Sequence, residues 1–173
     1  MTEEKKTYLQ YAFRYGTIIG FISFLYYLIG YYTGFDKKVF IFDNLYFIIF
    51  ITMFIVMMSK YRFVQTTKIK FSRYASLGFV ASVVIAFFVS AYSLIRVMVL
   101  DPYIIYQVIS LGESVLPNYK LPEMTPAMLN IFKVSYVFAN FLVNIFNNMV
   151  YVLIISAFMV WNNKIYDGRK KNN

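Results

Sequence analysis

The sequence predicts an all-α polytopic membrane protein: a bundle of four transmembrane helices, with an amphipathic extracytoplasmic helix between spans three and four. Three observations lead there. The chain holds four long apolar stretches, Gly16–Gly34, Leu45–Met58, Ala75–Leu100 and Val134–Trp161, each bounded by charge and none with an acid inside. Of its 173 residues, 60% are apolar and only 14% charged, with mean hydropathy +0.59. Soluble domains run near 45–50% apolar and about 25% charged, so this chain lacks the polar residues to cover a water-facing surface. Finally, the charge is lopsided about those stretches.

Lys5, Lys6 and Arg14 precede span one, Lys60, Arg62, Lys68, Lys70 and Arg73 separate spans two and three, and Lys164, Arg169, Lys170 and Lys171 follow span four. These are 12 of the 17 basic residues, beside only Glu3, Glu4 and Asp167 among the acids, so the whole net charge of +9 lies on that side. On the other side five basic residues balance five acids: Asp36, Asp43, Asp101, Glu113 and Glu123. The positive-inside rule then places both termini and the middle loop in the cytoplasm. A basic face suits anionic headgroups too. The same charge in a soluble chain would point to nucleic acid; its placement at the span ends makes the lipid bilayer the expected partner and nucleic acid not one.

The expected organisation is one membrane domain, 1–173. Its spans lie near 16–34, 39–59, 75–100 and 131–161, with a cytoplasmic loop 60–74, an extracytoplasmic segment 101–130 and a disordered basic tail 168–173. Residues 1–14 are polar and amphipathic. Span one, at 19 residues, is long enough to cross a hydrocarbon core of about 30 Å. No small-x-small cleavage site follows it, so it reads as an uncleaved span. Span two is apolar over a short run, so its helix should begin earlier, near Val39, with Asp43 and Asn44 in the outer headgroup layer; a locally thinned bilayer is the alternative. Span three carries Arg96 about one turn from its outer end, close enough to snorkel.

Asp101-Pro102 reads as an N-cap followed by a proline at the first helical position. Over Pro102–Leu116, apolar residues recur at Ile104, Val108, Leu111 and Val115, with Ile105, Ile109 and Leu116 beside them. This is an amphipathic helix, lying in the outer interface or packed on the bundle. Pro117, Pro122 and Pro126 then keep the chain extended, and Thr125-Pro126 is a second cap-and-proline pair. A helix from there to Trp161 has about 36 residues and spans about 54 Å, more than the bilayer needs. Trp161 and Tyr166 mark the cytoplasmic interface, in keeping with the clustering of tyrosines near span ends.

Two constellations carry the expected function. In span one, Gly16, Gly20, Ser23, Tyr27, Gly30 and Gly34 fall at spacings of 4, 3, 4, 3 and 4, a seam of small residues. Gly78, Ser82, Ala86 and Ser90 repeat at every fourth position of span three. Small residues let helices approach closely in lipid, where burial of apolar surface drives little. The seam therefore packs spans one and three together, or serves a homo-oligomer or a larger membrane complex. In span four, Asn140, Asn144, Asn147 and Asn148 form a polar stripe, with Lys133 above and Tyr151 below. Amides in hydrocarbon need partners. They act as interhelical glue, as a polar path for a solute or ion capped by Lys133 and Arg96, or as membrane-interface residues.

Catalysis is not expected. There is no His and no Cys, which removes imidazole acid–base work, thiol chemistry and the usual zinc ligands. No carboxylate sits mid-span, where a proton relay or intramembrane protease would need it. No Walker loop, GxSxG or HExxH occurs. No cofactor or metal is expected.

The run Ile69-Lys70-Phe71-Ser72-Arg73-Tyr74-Ala75, followed by an apolar helix ending Ala91-Tyr92-Ser93 and then Asp101-Pro102, resembles an uncharacterised bacterial membrane family, domain of unknown function forty-one ninety-nine. The motif part covers about 35 residues, and Ser72-Arg73 stands where that family has Ser-Phe-Gly-Lys-Ala. The resemblance implies a four-span inner-membrane protein of unassigned function with no catalytic residues. The leading expectation is thus a non-enzymatic membrane subunit or accessory factor assembling by helix packing. The alternative is a transporter or channel for a small solute or lipid, using the Asn-lined face of span four.

Overall fold

The computed structural model describes residues 3–65, 69–115 and 125–171, and every regular element among them is helical. Helix α1 spans Glu3–Thr33, α2 Val39–Val64, α3 Phe71–Ile95, α4 Ile104–Val115 and α5 Pro126–Lys171. Four stretches are long and apolar enough to cross a membrane: Tyr8–Thr33, Val39–Val64, Phe71–Leu100 and Pro126–Asn162, with 26, 26, 30 and 37 residues. At about 1.5 Å per residue even the shortest reaches about 39 Å, beyond a hydrocarbon core of about 30 Å. Large apolar side chains on the outer faces, such as Phe21 and Ile29 of α1, Phe40 and Ile48 of α2 and Phe87 of α3, are exposed. A continuous apolar exterior of this kind is what lipid covers. The protein is an all-α four-helix bundle of membrane-spanning type.

Each helix boundary has a local cause. Gly34 ends α1 at φ 66°, in the left-handed region where a side chain would be strained, and its N–H donates to the Tyr31 carbonyl at 3.1 Å. A short 3₁₀ turn, Phe35–Lys37, leads directly into α2 at Val39, the expected start. Helix α3 finishes in a π-helical turn, Arg96–Leu100, closed by the Asp101 N–H donating to the Arg96 carbonyl at 2.7 Å. Thr125 caps α5 as expected: its Oγ1 accepts from the Met128 N–H at 3.3 Å, with Pro126 as the first helical residue.

The helices extend beyond several of the expected segment bounds. Residues 3–14 are continuous with span one, because Tyr8, Tyr11 and Tyr15 pack against the same core that buries Ala12. Of the segment 60–74 expected as a loop, 60–64 continue α2 and 71–74 begin α3, since Tyr61 and Tyr74 are buried in that core and carry their helices with them; residues 66–68 lie outside the described ones. Segment 101–130 holds α4 as expected, and Ile105, only 2% exposed, seats it on the bundle; residues 116–124 lie outside the described ones. Helix α5 runs through Lys171, into the basic tail expected from 168. Residues 172 and 173 lie outside the described ones.

Helix α3 is the centre of the bundle. Helices α1 and α5 both run along it, and α2 closes the arrangement against α1 and α5. One core joins Ala12, Tyr61, Tyr74 and Met159, so the start of α1, the α2–α3 link and the later part of α5 share an end. The two sides of the bundle close differently. A methyl placed on Gly16 would stand 3.0 Å from Val84 Cβ and 3.1 Å from Ala81 Cα; one on Gly20 would stand 2.6 Å from Phe88 and 3.2 Å from Ile85 Cα. Gly78 leaves no room for a methyl against Val152 of α5. Backbone thus meets backbone between α1 and α3, while at Gly78 the α3 backbone meets the Val152 side chain of α5. Helix α2 instead buries Phe42, Phe50, Phe54, Met57, Met58 and Tyr61, which hold its backbone away from its neighbours.

Candidate functional site

The wide spacing of α2 produces the site. Where Phe54, Met57 and Met58 point inward, bulk fills the space between α2 and the rest of the bundle. Nearer the start of α2 the facing surface of α5 carries amides instead, and a cavity of about 290 Å³ opens between them. Its polar wall is Asp43 of α2 with Asn144, Asn147 and Asn148 of α5. Its aromatic wall includes Tyr27 of α1, Tyr46 and Phe47 of α2 and Tyr151 of α5. The rings brace one another: Tyr27 and Tyr46 centroids lie 5.0 Å apart, and Phe47 and Tyr151 5.1 Å apart in an edge-on arrangement.

The hydrogen bonds around the cavity fix these walls. The Tyr46 hydroxyl donates to Ser23 Oγ at 3.1 Å, and Ser23 Oγ donates to the Ile19 carbonyl at 2.9 Å, so Tyr46 is tied to α1. Tyr26 OH donates to the Phe42 carbonyl at 2.8 Å on the same seam. Asn144 Nδ2 donates to the Asn140 carbonyl at 2.7 Å, leaving its carbonyl oxygen and second hydrogen for the cavity. Asn148 is 6% exposed, while Asn147 and Asp43 are exposed at the mouth. Among the described residues no basic side chain pairs with Asp43 or lines the cavity.

The expected site residues divide accordingly. Of the polar stripe, Asn144, Asn147 and Asn148 come together at the cavity; Asn140 contributes a backbone carbonyl, and Lys133, three helical turns earlier, lies outside the lining. Gly16 and Gly20 pack on α3, but against Ala81, Val84, Ile85 and Phe88. The stripe Gly78, Ser82, Ala86 and Ser90 is buried, and its Gly78 meets Val152 of α5 and not α1. Gly30 admits the Phe42 ring of α2, and Gly34 is a turn residue with nothing within 4 Å of a would-be methyl. Ser23 works through its hydroxyl. Arg96 is pinned by protein carboxylates: it lies 3.6 Å from Asp36 and 4.0 Å from Asp101, over the ring of Tyr31. The Asp101 carboxylate thus goes to Arg96. Tyr31 OH donates to the Leu100 carbonyl at 2.6 Å, so Arg96 and Tyr31 fasten the α1–α2 link to the end of α3.

Sequence reasoning missed Asp43 and Tyr46 as cavity residues. The available signal was their spacing: Asp43, Tyr46, Phe47 and Phe50 recur at i, i+3, i+4 and i+7, one face of α2. No protein-family model, curated protein or solved structure matches the chain.

Proposed function

We propose that this is a non-enzymatic membrane protein that admits a small polar solute or lipid headgroup into the cleft between α2 and α5. The observation that carries the reading is the convergence of one carboxylate and three amides on a single cavity among helices of membrane-spanning length. Polar groups at such depth are costly unless they meet water, a ligand or each other, and they mark solute paths more often than chance allows. The charge distribution supports an orientation with both termini in the cytoplasm and the mouth near Asp43 in the outer leaflet. The resemblance around Ile69–Ala75 supports a bacterial inner membrane. Assembly as a small subunit through the span-one glycines has less support, because α3 and α2 already fill Gly16, Gly20 and Gly30.

The test exploits the absence of cysteine. Asn147→Cys and Phe146→Cys place one thiol each in the cleft and on the neighbouring exposed apolar face. In reconstituted vesicles, a membrane-impermeant methanethiosulfonate should label position 147 and leave 146 unmodified on the same timescale. Equal rates at the two positions would refute the reading.

A further inference from the structure

We propose that the cleft takes an organic ammonium ion, either a free small amine or quaternary ammonium, or the headgroup of an aminophospholipid. The inference rests on the cleft reading above and names its ligand class. Four observations select that chemistry. The cavity has one acid, Asp43, and no basic side chain in its lining, so it favours a cation and repels a free anion. It lacks the ligand set of a metal site: no group of three or more His, Cys, Asp or Glu exists among the described residues, whereas hard divalent cations gather six to eight oxygens. Its volume, about 290 Å³, lies near the lower limit of small-molecule pockets and far above what a bare alkali ion fills. The remaining wall is aromatic, and Tyr27, Tyr46, Phe47 and Tyr151 offer ring faces and edges at mutual angles. Ring faces attract alkylammonium groups, which shed water more readily than compact inorganic ions.

The parts have distinct tasks. Asp43, exposed one turn into α2, supplies the counter-charge at the mouth. Phe47 and Tyr151 form the apolar side against which methyl or methylene groups rest. Asn144, Asn147 and Asn148 present amide carbonyls to N–H groups and amide hydrogens to a hydroxyl or phosphate ester oxygen on the same ligand. Ethanolamine-like and choline-like groups match this pattern.

The experiment uses the full chain in nanodiscs of phosphatidylglycerol, with the melting temperature read against increasing choline, tetramethylammonium or potassium chloride. Choline and tetramethylammonium should raise it saturably, and potassium should not. Asp43→Asn should weaken the apparent affinity roughly ten- to a hundredfold, the loss of one charge-assisted contact, with Asp43→Glu restoring most of it. Phe47→Leu should weaken it by about three- to tenfold. A lipid headgroup as the source predicts a second pattern: nanodiscs containing phosphatidylethanolamine slow thiol labelling of Asn147→Cys, and added choline has little further effect. A free amine predicts choline protection whatever the lipid. An equal shift with potassium, or an unaltered response in Asp43→Asn, would overturn the proposal. So would the absence of any ammonium or lipid effect while Asn147→Cys remains water-accessible, leaving the cleft itself intact. Failure of position 147 to label in the first place would instead remove the cleft.

Discussion

Glycine does different things at different places in this chain, and the differences are measurable. At Gly20 a β-carbon would press on Phe88 at 2.6 Å and on the Ile85 backbone at 3.2 Å. The ring can turn aside but the backbone cannot, so Gly20→Ile forces α1 and α3 apart. The expected loss is about 1–3 kcal/mol, the usual cost of overpacking, seen as a lower midpoint in detergent denaturation. At Gly34 there is open space, and the constraint is φ 66° alone. Gly34→Ala should cost about 1–2 kcal/mol through the left-handed conformation, while Gly34→Asn should cost less. Equal losses for Ala and Asn at position 34 would contradict the turn assignment. Sequence spacing could not separate the two roles: Gly16-xxx-Gly20 and Gly30-xxx-Gly34 look alike as strings. Only the first has a helix backbone laid across it, and that depends on where the chain turns.

At the scale of elements, the starts and lengths of helices were legible because they depend on nearest neighbours. Thr125-Pro126 carried its own instruction, and the capping bond to Met128 is present. Thr125→Ala should remove it at a cost of about 1 kcal/mol. Because this terminus is exposed, the effect belongs to local opening: amide exchange at residues 127–130 should quicken about fivefold, with the global melting point little changed. Helix ends at 60–74 were harder to read. Tyr61 and Tyr74 look like interfacial tyrosines in sequence, yet both are buried. The facing of helices was legible only in part: span one does pack on span three through Gly16 and Gly20. The small residues of spans one and three suggested a mutual pairing, but α3 turns Gly78 toward α5 and offers α1 the face of Ala81 and Ile85. The Asn stripe was visible in α5 alone. Its complement on α2 became meaningful only once the bundle set Asp43 on the same cavity, about a hundred residues away in the chain.

For the molecule as a whole, four spanning helices and a shared core of Ala12, Tyr61, Tyr74 and Met159 put the beginning of α1 and the later part of α5 at one end. Lys37 and Lys70, both exposed, mark the opposite and the same end respectively. With no native cysteine to confuse the readout, Lys37→Cys should react with an impermeant maleimide added outside intact cells. Lys70→Cys should react only after the membrane is opened. Labelling of both from one side would invalidate the four-span arrangement.

The central position of α3 also constrains how the protein is made. Ribosomes release α1 and α2 first, so the groove at Gly16 and Gly20 has no occupant until residues near 81–88 have been synthesised and threaded into the bilayer. At about 5–20 residues per second, more than fifty residues separate docking face from docking partner, a delay of several seconds. During that interval the contacts between α1 and α2 hold the newborn hairpin, chiefly Tyr26 on Phe42 and Tyr27 on Tyr46, with the Tyr46 hydroxyl bonded to Ser23. Tyr27 and Tyr46 therefore act twice: as walls in the finished protein, and as part of the temporary clasp that keeps the first two helices together while the third is still on its way.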